Sequence, residues 1–500
     1  MPFPAFPLPL IPRTARLLPV MLLAGCASLS GEQQAVQQTL MDEQASVQQW
    51  QATPVTSVAG EEAVESNSLL ALLPDEQLTQ LVKQSLAANP GLQQTWLTLQ
   101  VLRSSQLGVE ANQLPEADLS LSGSRSEDDG NSFTTELSVS WELDLWARLA
   151  DSSSAAAADV AEQLALYQSA RDTQVAEVMS SWLQLIQLNN AIQVQALLLD
   201  SLRKNEDAII QRYRRGVGDL DDLDSARSSL ASAESTQADN YYQLAAAKRS
   251  LRTLLGRVTD TAEDDAEVPI PADYPAVLLP LVELPEQTLA RRPDLQAAWQ
   301  ALQAADLRTQ VAYKDMLPSL SISAALSDTA TSPSSSLLTD PVWSLLGQLT
   351  APLFRGGELK AAARTAELNA AVAAQSYRET LLTAVVEVEN ALDQEATLAR
   401  QQEAIQRALE SARTNETRYV RRYRSGLVDM LDLLSVQQSR YSLEDTLNTL
   451  TYQRLSNRIT LGLALGLPGT VTLENLTASP AQAVSESLPA SSSDLSAETL

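Results

Sequence analysis

The chain carries the stretch Arg212-Tyr213-Arg214-Arg215-Gly216-Val217-Gly218-Asp219-Leu220-Asp221-Asp222-Leu223. It returns 210 residues later as Arg422-Tyr423-Arg424-Ser425-Gly426-Leu427-Val428-Asp429-Met430-Leu431-Asp432-Leu433. Upstream, segment 90–96 returns as segment 293–299, at an offset of 203. Nearly the whole chain is therefore one structural unit written twice, and self-similarity at this scale predicts a pseudo-symmetric architecture.

The composition favours long helices over a thick globular core. Of the 500 residues, aromatics make up 4% and only 17 are Gly, which is typical of helices that pack through small side chains. The net charge of −27 would repel nucleic-acid phosphates, so we expect no nucleic-acid partner. The chain has no His, which removes the commonest metal ligand and the usual general base. We therefore expect no metal, no cofactor and no enzymatic activity.

The N-terminal segment has the features of an export signal. Two arginines precede an apolar run, residues 17–23, that is too short to span a bilayer. The run ends in Leu23-Ala24-Gly25-Cys26, which resembles a bacterial lipobox. We predict that residues 1–25 are a lipoprotein signal peptide and that Cys26, the sole Cys, is lipidated. Ala27 rather than Asp follows it, which by resemblance to sorted lipoproteins indicates the outer membrane.

The rest of the chain divides where composition and hydrophobic period change. The predicted divisions are a lipidated linker at 26–73, a first repeat at 74–258, a connector at 259–288, a second repeat at 289–467 and a disordered tail at 468–500. The tail is rich in Ser and Ala and has few apolar residues to bury.

Each copy contains two stretches in which apolar and polar residues alternate. In the clearest of them, apolar positions from Phe133 to Leu143 alternate with Thr, Glu and Ser. This period of two predicts strands with one apolar and one polar face, at about 117–126, 132–143, 319–326 and 342–353. A length of about ten residues fits a tilted bilayer crossing, and Trp141 stands where an aromatic girdle is expected.

Long helical stretches follow each pair of strands. Residues 146–214 contain neither Gly nor Pro, and at 1.5 Å per residue this stretch reaches roughly 100 Å. A return stretch follows in each copy, and uncapped helices of this length are usually coiled coils. Gly216 and Gly426 stand between the two stretches, where a left-handed residue commonly ends a helix. We therefore predict two long helical hairpins that turn at these glycines.

Four strands cannot close a useful barrel, and an open sheet edge in lipid leaves backbone groups unsatisfied. The edges must therefore pair with another chain. The predicted fold is mainly α with a membrane β part. Three chains would give twelve strands, an even number and wide enough for a pore, and the internally duplicated helical hairpins would join across chains into a hollow tunnel. The apolar faces would meet outer-membrane lipid, and the polar faces would line water.

Ordered motifs in both copies resemble those of one protein family. They are Leu23–Cys26, Asn89-Pro90, Leu114-Pro115, Ser140–Trp146, the two Tyr-Arg-x-Gly-x-x-Asp segments, Arg292–Leu295, Pro352–Gly357 and Leu461–Gly466. Over residues 74–467 the chain resembles the TolC-like outer-membrane efflux protein family, in its lipidated drug-efflux (NodT/OprM-like) branch. The resemblance implies a homotrimer whose internally duplicated helical hairpins form a periplasmic α-barrel and whose four strands per protomer complete a twelve-stranded outer-membrane β-barrel. It also implies docking to a periplasmic adaptor (membrane fusion) protein and an inner-membrane efflux pump. Ala147 stands where the family commonly has Gly, which argues against a tight turn there.

The residues that follow the hairpin glycines are the main candidates for function. Asp429 and Asp432, like Asp219 and Asp222 in the first copy, lie three apart and share a helix face. In a trimer they would form rings of carboxylates, which favour cations at a constriction. The resemblance places a periplasmic gate or selectivity ring at Asp429 and Asp432. The alternative is helix capping, because Asp is favoured near a helix N-terminus.

A basic cluster ends the incoming helix of each hairpin. Its members are Arg212, Tyr213, Arg214, Arg422, Tyr423 and Arg424. They either interact favourably with the helix dipole or latch the tip by pairing with the Asp residues, and by analogy with the family, loosening that latch would open the channel. Arg292-Pro293-Asp294 is interpreted as structural, because its counterpart Asn89-Pro90-Gly91 lacks the charges.

The sequence therefore predicts the outer-membrane channel of a tripartite efflux system. It would be a lipid-anchored, passive exit duct for drugs or other small solutes, extending into the periplasm and contributing to antibiotic resistance. One alternative is an outlet of the same build for type I protein secretion. Another is a periplasmic coiled-coil adaptor, which the duplicated amphipathic strand pairs argue against.

Overall fold

The computed structural model describes residues 68–127, 130–257, 270–275, 291–333 and 336–470. The predicted signal peptide, Cys26, most of the linker and connector, and residues 471–500 lie outside these ranges. In the first copy the elements are α1 (Glu76–Ala88), α2 (Pro90–Ala111), β1 (Glu116–Ser126), β2 (Gly130–Leu143), α3 (Arg148–Arg214) and α4 (Leu220–Leu254). In the second they are α5 (Pro293–Lys314), β3 (Ser319–Ala330), β4 (Val342–Thr350), α6 (Glu358–Arg424) and α7 (Met430–Ala464).

The duplication extends to the length of every paired helix. Helices α2 and α5 have 22 residues each, α3 and α6 have 67 each, and α4 and α7 have 35 each. At 1.5 Å per residue, each 67-residue helix is roughly 100 Å long. The mainly helical, internally duplicated fold class is thus confirmed. In the described part of the chain, no helix is long and apolar enough to cross a membrane.

The four strands form one antiparallel sheet in the order β1-β2-β3-β4. Strand β3 continues to Ala330, four residues past the expected end at 326, because its backbone stays paired with β2 although the polar Asp328 interrupts the apolar face. Strand β4 ends at Thr350 rather than 353. The nearby Pro352 has no N–H with which to continue the ladder.

The helices follow the order of the strands. Near the sheet they lie side by side as α2, α3, α5 and α6, and further along as α4, α3, α7 and α6. The described part of each chain is therefore a layer of side-by-side elements with two open edges. One edge consists of β1, α2 and α4, and the other consists of β4 and α6.

Among the described residues, the largest apolar cluster forms where the first and last described segments meet the helices. Leu69, Leu72 and Leu73 are fully buried in it, against side chains of α1, α3, α4 and α7. The backbone N–H of Leu69 donates to the carbonyl oxygen of Pro468 (2.8 Å), so the end of the expected linker and the start of the expected tail are paired and packed. Three buried leucines give this short segment enough apolar surface to fold.

A matching pair of side-chain contacts ties each short helix to the end of its hairpin. Asn89 Nδ2 donates to the Leu254 carbonyl oxygen, and Arg292 Nη1 donates to the Ala464 carbonyl oxygen, both at 3.1 Å. Arg292 also pairs with Asp294 (2.7 Å) and Glu387 (2.8 Å). Burial opposes the charge of Arg292, but these two carboxylates outweigh burial and raise its pKa. The structural interpretation of this segment agrees with these contacts.

The turn from β2 into α3 is tight even though it contains Ala147 instead of Gly. Ala147 has φ 58°, in the left-handed region, as does its counterpart Gly357 at φ 91°. The Asp144 carboxylate holds the turn by accepting from the N–H groups of Arg148 (2.7 Å) and Ala150 (2.8 Å). The expectation that Ala147 argues against a tight turn is therefore wrong, because the Asp144 contacts impose the conformation.

We predict that Ala147→Gly stabilises the protein by about 1 kcal/mol, because an L-residue in the left-handed region costs about 1–2 kcal/mol. The matched control, Ala157→Gly on an exposed position of α3, should destabilise it by about 1 kcal/mol. The urea midpoint of unfolding measures both. A lower midpoint for Ala147→Gly would show that the turn is not strained.

Candidate functional site: the sheet faces and the hairpin tips

The sheet register places apolar side chains of all four strands on one face. Leu119 pairs with Leu137, Leu137 with Leu326, and Leu326 with Trp343. Most of these side chains are exposed in the single chain, including Leu119 (70%) and Trp343 (76%). An exposed apolar surface of this extent marks contact with a membrane or another protein.

The opposite face of the sheet is polar and acidic. Glu116, Asp118, Glu136 and Glu142 lie on it among Ser and Thr side chains, and none of the basic residues in the described strands is on this face. Glu142 is neutralised by Arg148 (2.7 Å). Among the described residues, the other three carboxylates on this face form no ion pair, so the face presents a water-compatible surface with fixed negative charge.

Polar contacts within the first copy and between the two copies hold the region where the sheet meets the long helices. The indole N–H of Trp141 donates to the Gln113 carbonyl oxygen (2.9 Å), and that of Trp146 donates to the Pro318 carbonyl oxygen (2.7 Å). Lys314 of α5 pairs with Asp151 of α3. Tryptophans with one polar contact and an apolar body are typical of a membrane boundary.

Both hairpin tips have the same backbone geometry. Gly216 and Gly426 have φ 70° and 71°. The N–H of Val217 donates to the Arg212 carbonyl oxygen (3.1 Å), and the N–H of Leu427 donates to that of Arg422 (2.9 Å). These are Schellman bonds, which satisfy the last carbonyls of α3 and α6 and need a left-handed residue.

The structure shows capping for the first aspartate of each predicted pair. The Asp429 carboxylate accepts from the N–H of Asp432 at 2.8 Å, and the Asp219 carboxylate accepts from that of Asp221 at 3.3 Å. Asp222 and Asp432 lie in the first helical turn. Asp219 and Asp429 are exposed, so the cap and a carboxylate ring are compatible. The ring itself needs other copies of the chain and stays a prediction.

The basic residues of the tips lie on the last helical turns, beside the aspartates. In the described ranges, no ion pair joins Arg212, Arg214, Arg422 or Arg424 to the tip aspartates within one chain. Tyr213 is 46% exposed. The latch predicted from the sequence therefore stays a prediction, and its partners would have to come from neighbouring copies.

Ion pairs that the sequence reasoning missed join the two helices of each hairpin. Arg203 pairs with Glu234 (3.1 Å), and the same positions in the second copy, Arg413 and Glu444, pair at 2.7 Å. The offset of 210 was the signal that could have identified them. Exposed pairs of this kind contribute little stability, about 0–1 kcal/mol each, so their main effect is to set helix register.

A second missed cluster is buried between α6 and α7. The Glu395 carboxylate, 1% exposed, accepts from Arg454 (2.9 Å) and Arg458 (3.1 Å). The corresponding positions in the first copy are Leu185, Leu244 and Lys248. The two hairpins therefore share a backbone plan but differ in their interior chemistry.

Comparison with known proteins gives one consistent result. The model of the family "Outer membrane efflux protein" matches residues 81–257 and 284–467. The pyoverdine export outer membrane protein OpmQ of Pseudomonas putida is 27% identical over 73% of this chain and 78% of its own length. The cation efflux system protein CusC of Escherichia coli K12 is 28% identical over 78% of this chain and 87% of its own length.

A solved structure shows the same fold. The CmeC outer membrane channel of Campylobacter jejuni matches with a TM-score of 0.76 over 87% of this chain and 93% of that one, at 20% identity. Because the identity is low, the likeness concerns the fold alone.

Substitutions at Asp429 can separate capping from charge. Asp429→Ala should weaken the first turn of α7 by about 1 kcal/mol, whereas Asp429→Ser, which keeps a capping oxygen, should not. Hydrogen exchange of the amides at 430–434 measures the difference. Equal protection in both variants would show that the carboxylate does not cap the helix.

Proposed function

Because the chain belongs to the outer membrane efflux protein family, we propose that three copies form the outer-membrane duct of a tripartite efflux system. The chain is an efflux channel by family. We propose how its copies close into a barrel, which solutes the channel admits and how the chain is anchored to the membrane. The observation that carries this proposal is the pair of open edges on each protomer. These edges would leave strand backbone unsatisfied in lipid unless neighbouring copies pair with them.

The helical edges carry matching exposed apolar stripes. On α2, Val101 is 66% exposed, and Leu97 precedes it by one turn. On the opposite edge, Val372 of α6 is 65% exposed, and Leu368 precedes it by one turn. A ring of copies brings α2 of one protomer against α6 of the next, so each stripe has an apolar partner.

The ring would enclose a continuous aqueous path. Its upper wall is the acidic face of the sheet, and its lower opening lies among the hairpin tips with their eight named Asp and Arg positions. Such a path moves solutes passively, and we expect no catalytic activity and no bound cofactor. The energy for transport would come from an inner-membrane pump coupled through a periplasmic adaptor, which the family resemblance implies.

The charges favour small cationic or neutral solutes as cargo. Carboxylates lie on the polar sheet face and at the tips, and fixed negative charge in a pore attracts cations and repels anions. The cation efflux system protein CusC and the pyoverdine export protein OpmQ are both named for small solutes. This supports small-solute export over the protein-secretion alternative, and dye accumulation in a deletion strain distinguishes the two.

Lipidation at Cys26 is compatible with the position of the first described residues. Leu69 belongs to the same apolar cluster as Val178, which is 30 residues, roughly 45 Å, along α3 from the start of that helix near the sheet. The segment from Cys26 to Ser68 can span up to about 140 Å when extended. The lipid can therefore reach the same membrane that contains the sheet.

The closing contact can be tested on the helical edge. Val101→Glu should abolish the heat-resistant trimer on a gel, because it buries an unpaired carboxylate in the seam. Val101→Thr, nearly the same size and uncharged, should keep most of the trimer. Trimers that persist in Val101→Glu would contradict this seam.

The charge proposal can be tested by conductance. Asp429→Ser with Asp432→Asn keeps the capping oxygen but removes the charge, and should lower the cation preference of single channels in planar bilayers. The reversal potential under a KCl gradient measures this preference. An unchanged reversal potential would exclude the carboxylate ring at these positions.

A further inference from the structure

The part of the β3–β4 loop that leads into β4 folds back onto the apolar face of the sheet. Residues 336–341, called the strap below, are held there by one side chain. The Asp328 carboxylate accepts from the N–H of Thr339 (2.7 Å), the hydroxyl of Thr339 (3.2 Å) and the N–H of Asp340 (3.3 Å). Leu338 adopts φ 56°, a left-handed conformation that is uncommon for Leu.

The strap covers a polar pair that would otherwise interrupt the apolar face. Asp328 lies directly opposite Thr135 in the register, on the same face as Leu137 and Leu326. Asp328 is 6% exposed and Thr135 is 5% exposed, whereas the apolar positions nearer the helices on this face are largely open. A carboxylate on such a face is tolerated only when it is hydrogen-bonded and covered.

The position along the strand fixes the level of the strap in the membrane. Trp343 lies opposite Leu326, two residues before Asp328, and its side chain is exposed on the apolar face. Exposed Trp is typical of the boundary between acyl chains and headgroups. Loop backbone cannot lie in the hydrocarbon without partners. The strap therefore belongs at the headgroup boundary, on the outside of the barrel.

The two copies differ at this point. The β1–β2 connection is short, and the position that corresponds to Asp328 is Arg125. The offset between the copies rises from 203 to 210 across the second hairpin, so the extra residues lie in its loop. The second copy therefore has both the longer loop and the Asp328 carboxylate that holds it, whereas the first copy has neither.

We propose that the strap is a lipid-contact element of the outer leaflet. Asp328 holds it against the outer face, Leu337, which is 61% exposed, meets the headgroup and acyl boundary, and the mouth of the duct stays clear of the loop. The proposal rests on the proposed function, because it requires the sheet to lie in the outer membrane. The occupant of this surface is the acyl region of the outer-leaflet lipid, not another protein.

A nitroxide label on Leu337→Cys tests the proposal in the full-length trimer, reconstituted in phosphatidylethanolamine and phosphatidylglycerol vesicles. The unsubstituted chain supplies the background signal of Cys26. We expect collision with oxygen to exceed collision with a water-soluble nickel chelate at this site, in contrast to Glu127→Cys in the β1–β2 turn. Adding Asp328→Leu, which keeps the face apolar but removes all three contacts, should shift the label toward the Glu127→Cys value. Asp340→Asn is the matched control, because only the backbone of Asp340 makes the contact.

A label on Leu345→Cys, in the middle of the apolar face, separates failure of the strap from failure of the membrane assignment. If Leu345→Cys is lipid-exposed but Leu337→Cys is aqueous, the strap does not contact lipid and the proposal is overturned. If both are aqueous, the sheet is not in the membrane and the proposed function falls with it. If Asp328→Leu leaves the Leu337→Cys label unchanged, Asp328 does not hold the strap.

Discussion

The outer edges of β1 and β4 have backbone hydrogen-bonding groups that no other strand in the described part of the chain pairs with. In water such an edge is tolerated, but in hydrocarbon each unsatisfied group costs several kcal/mol. The apolar face of the sheet requires lipid, and lipid in turn requires the edges to be closed. Closing this one sheet with copies of itself accounts for three other features. They are the order of the helices, the exposed stripes on α2 and α6, and the polar inner face.

The two copies share one backbone arrangement but differ in some of their side-chain contacts. Both copies keep the contacts that set geometry, such as the donation from Asn89 or Arg292 to the last carbonyl of the hairpin. They differ where chemistry is added. The second copy has the strap held by Asp328, while the first copy tolerates Ala147 in a left-handed turn through Asp144.

The sequence was sufficient for features that depend on local pattern. The period of two located the strands, and the absence of Gly and Pro from 146–214 predicted a helix that forms from Arg148 to Arg214. It was insufficient where distant segments meet. The sequence around Leu69 does not indicate that its backbone pairs with Pro468. A local hydrophobic period carries no information about contacts between segments that are far apart in the chain. The end of β3 was predicted too early, because the polar Asp328 interrupts the apolar alternation there. Its hydrogen-bond partner, Thr339, lies eleven residues further along the chain, so no local pattern indicates the contact. At the tips, the sequence offered both a cap and a ring for Asp429. One chain shows the cap, whereas a ring is a property of the assembly.

The most direct test of this account is an electron cryomicroscopy structure of the full-length protein in lipid nanodiscs. The account predicts three copies around one axis, with β1 of each protomer hydrogen-bonded to β4 of the next and the Leu119–Leu137 face toward lipid. Sheet edges that remain unpaired, or a β1–β4 contact within a single chain, would contradict it.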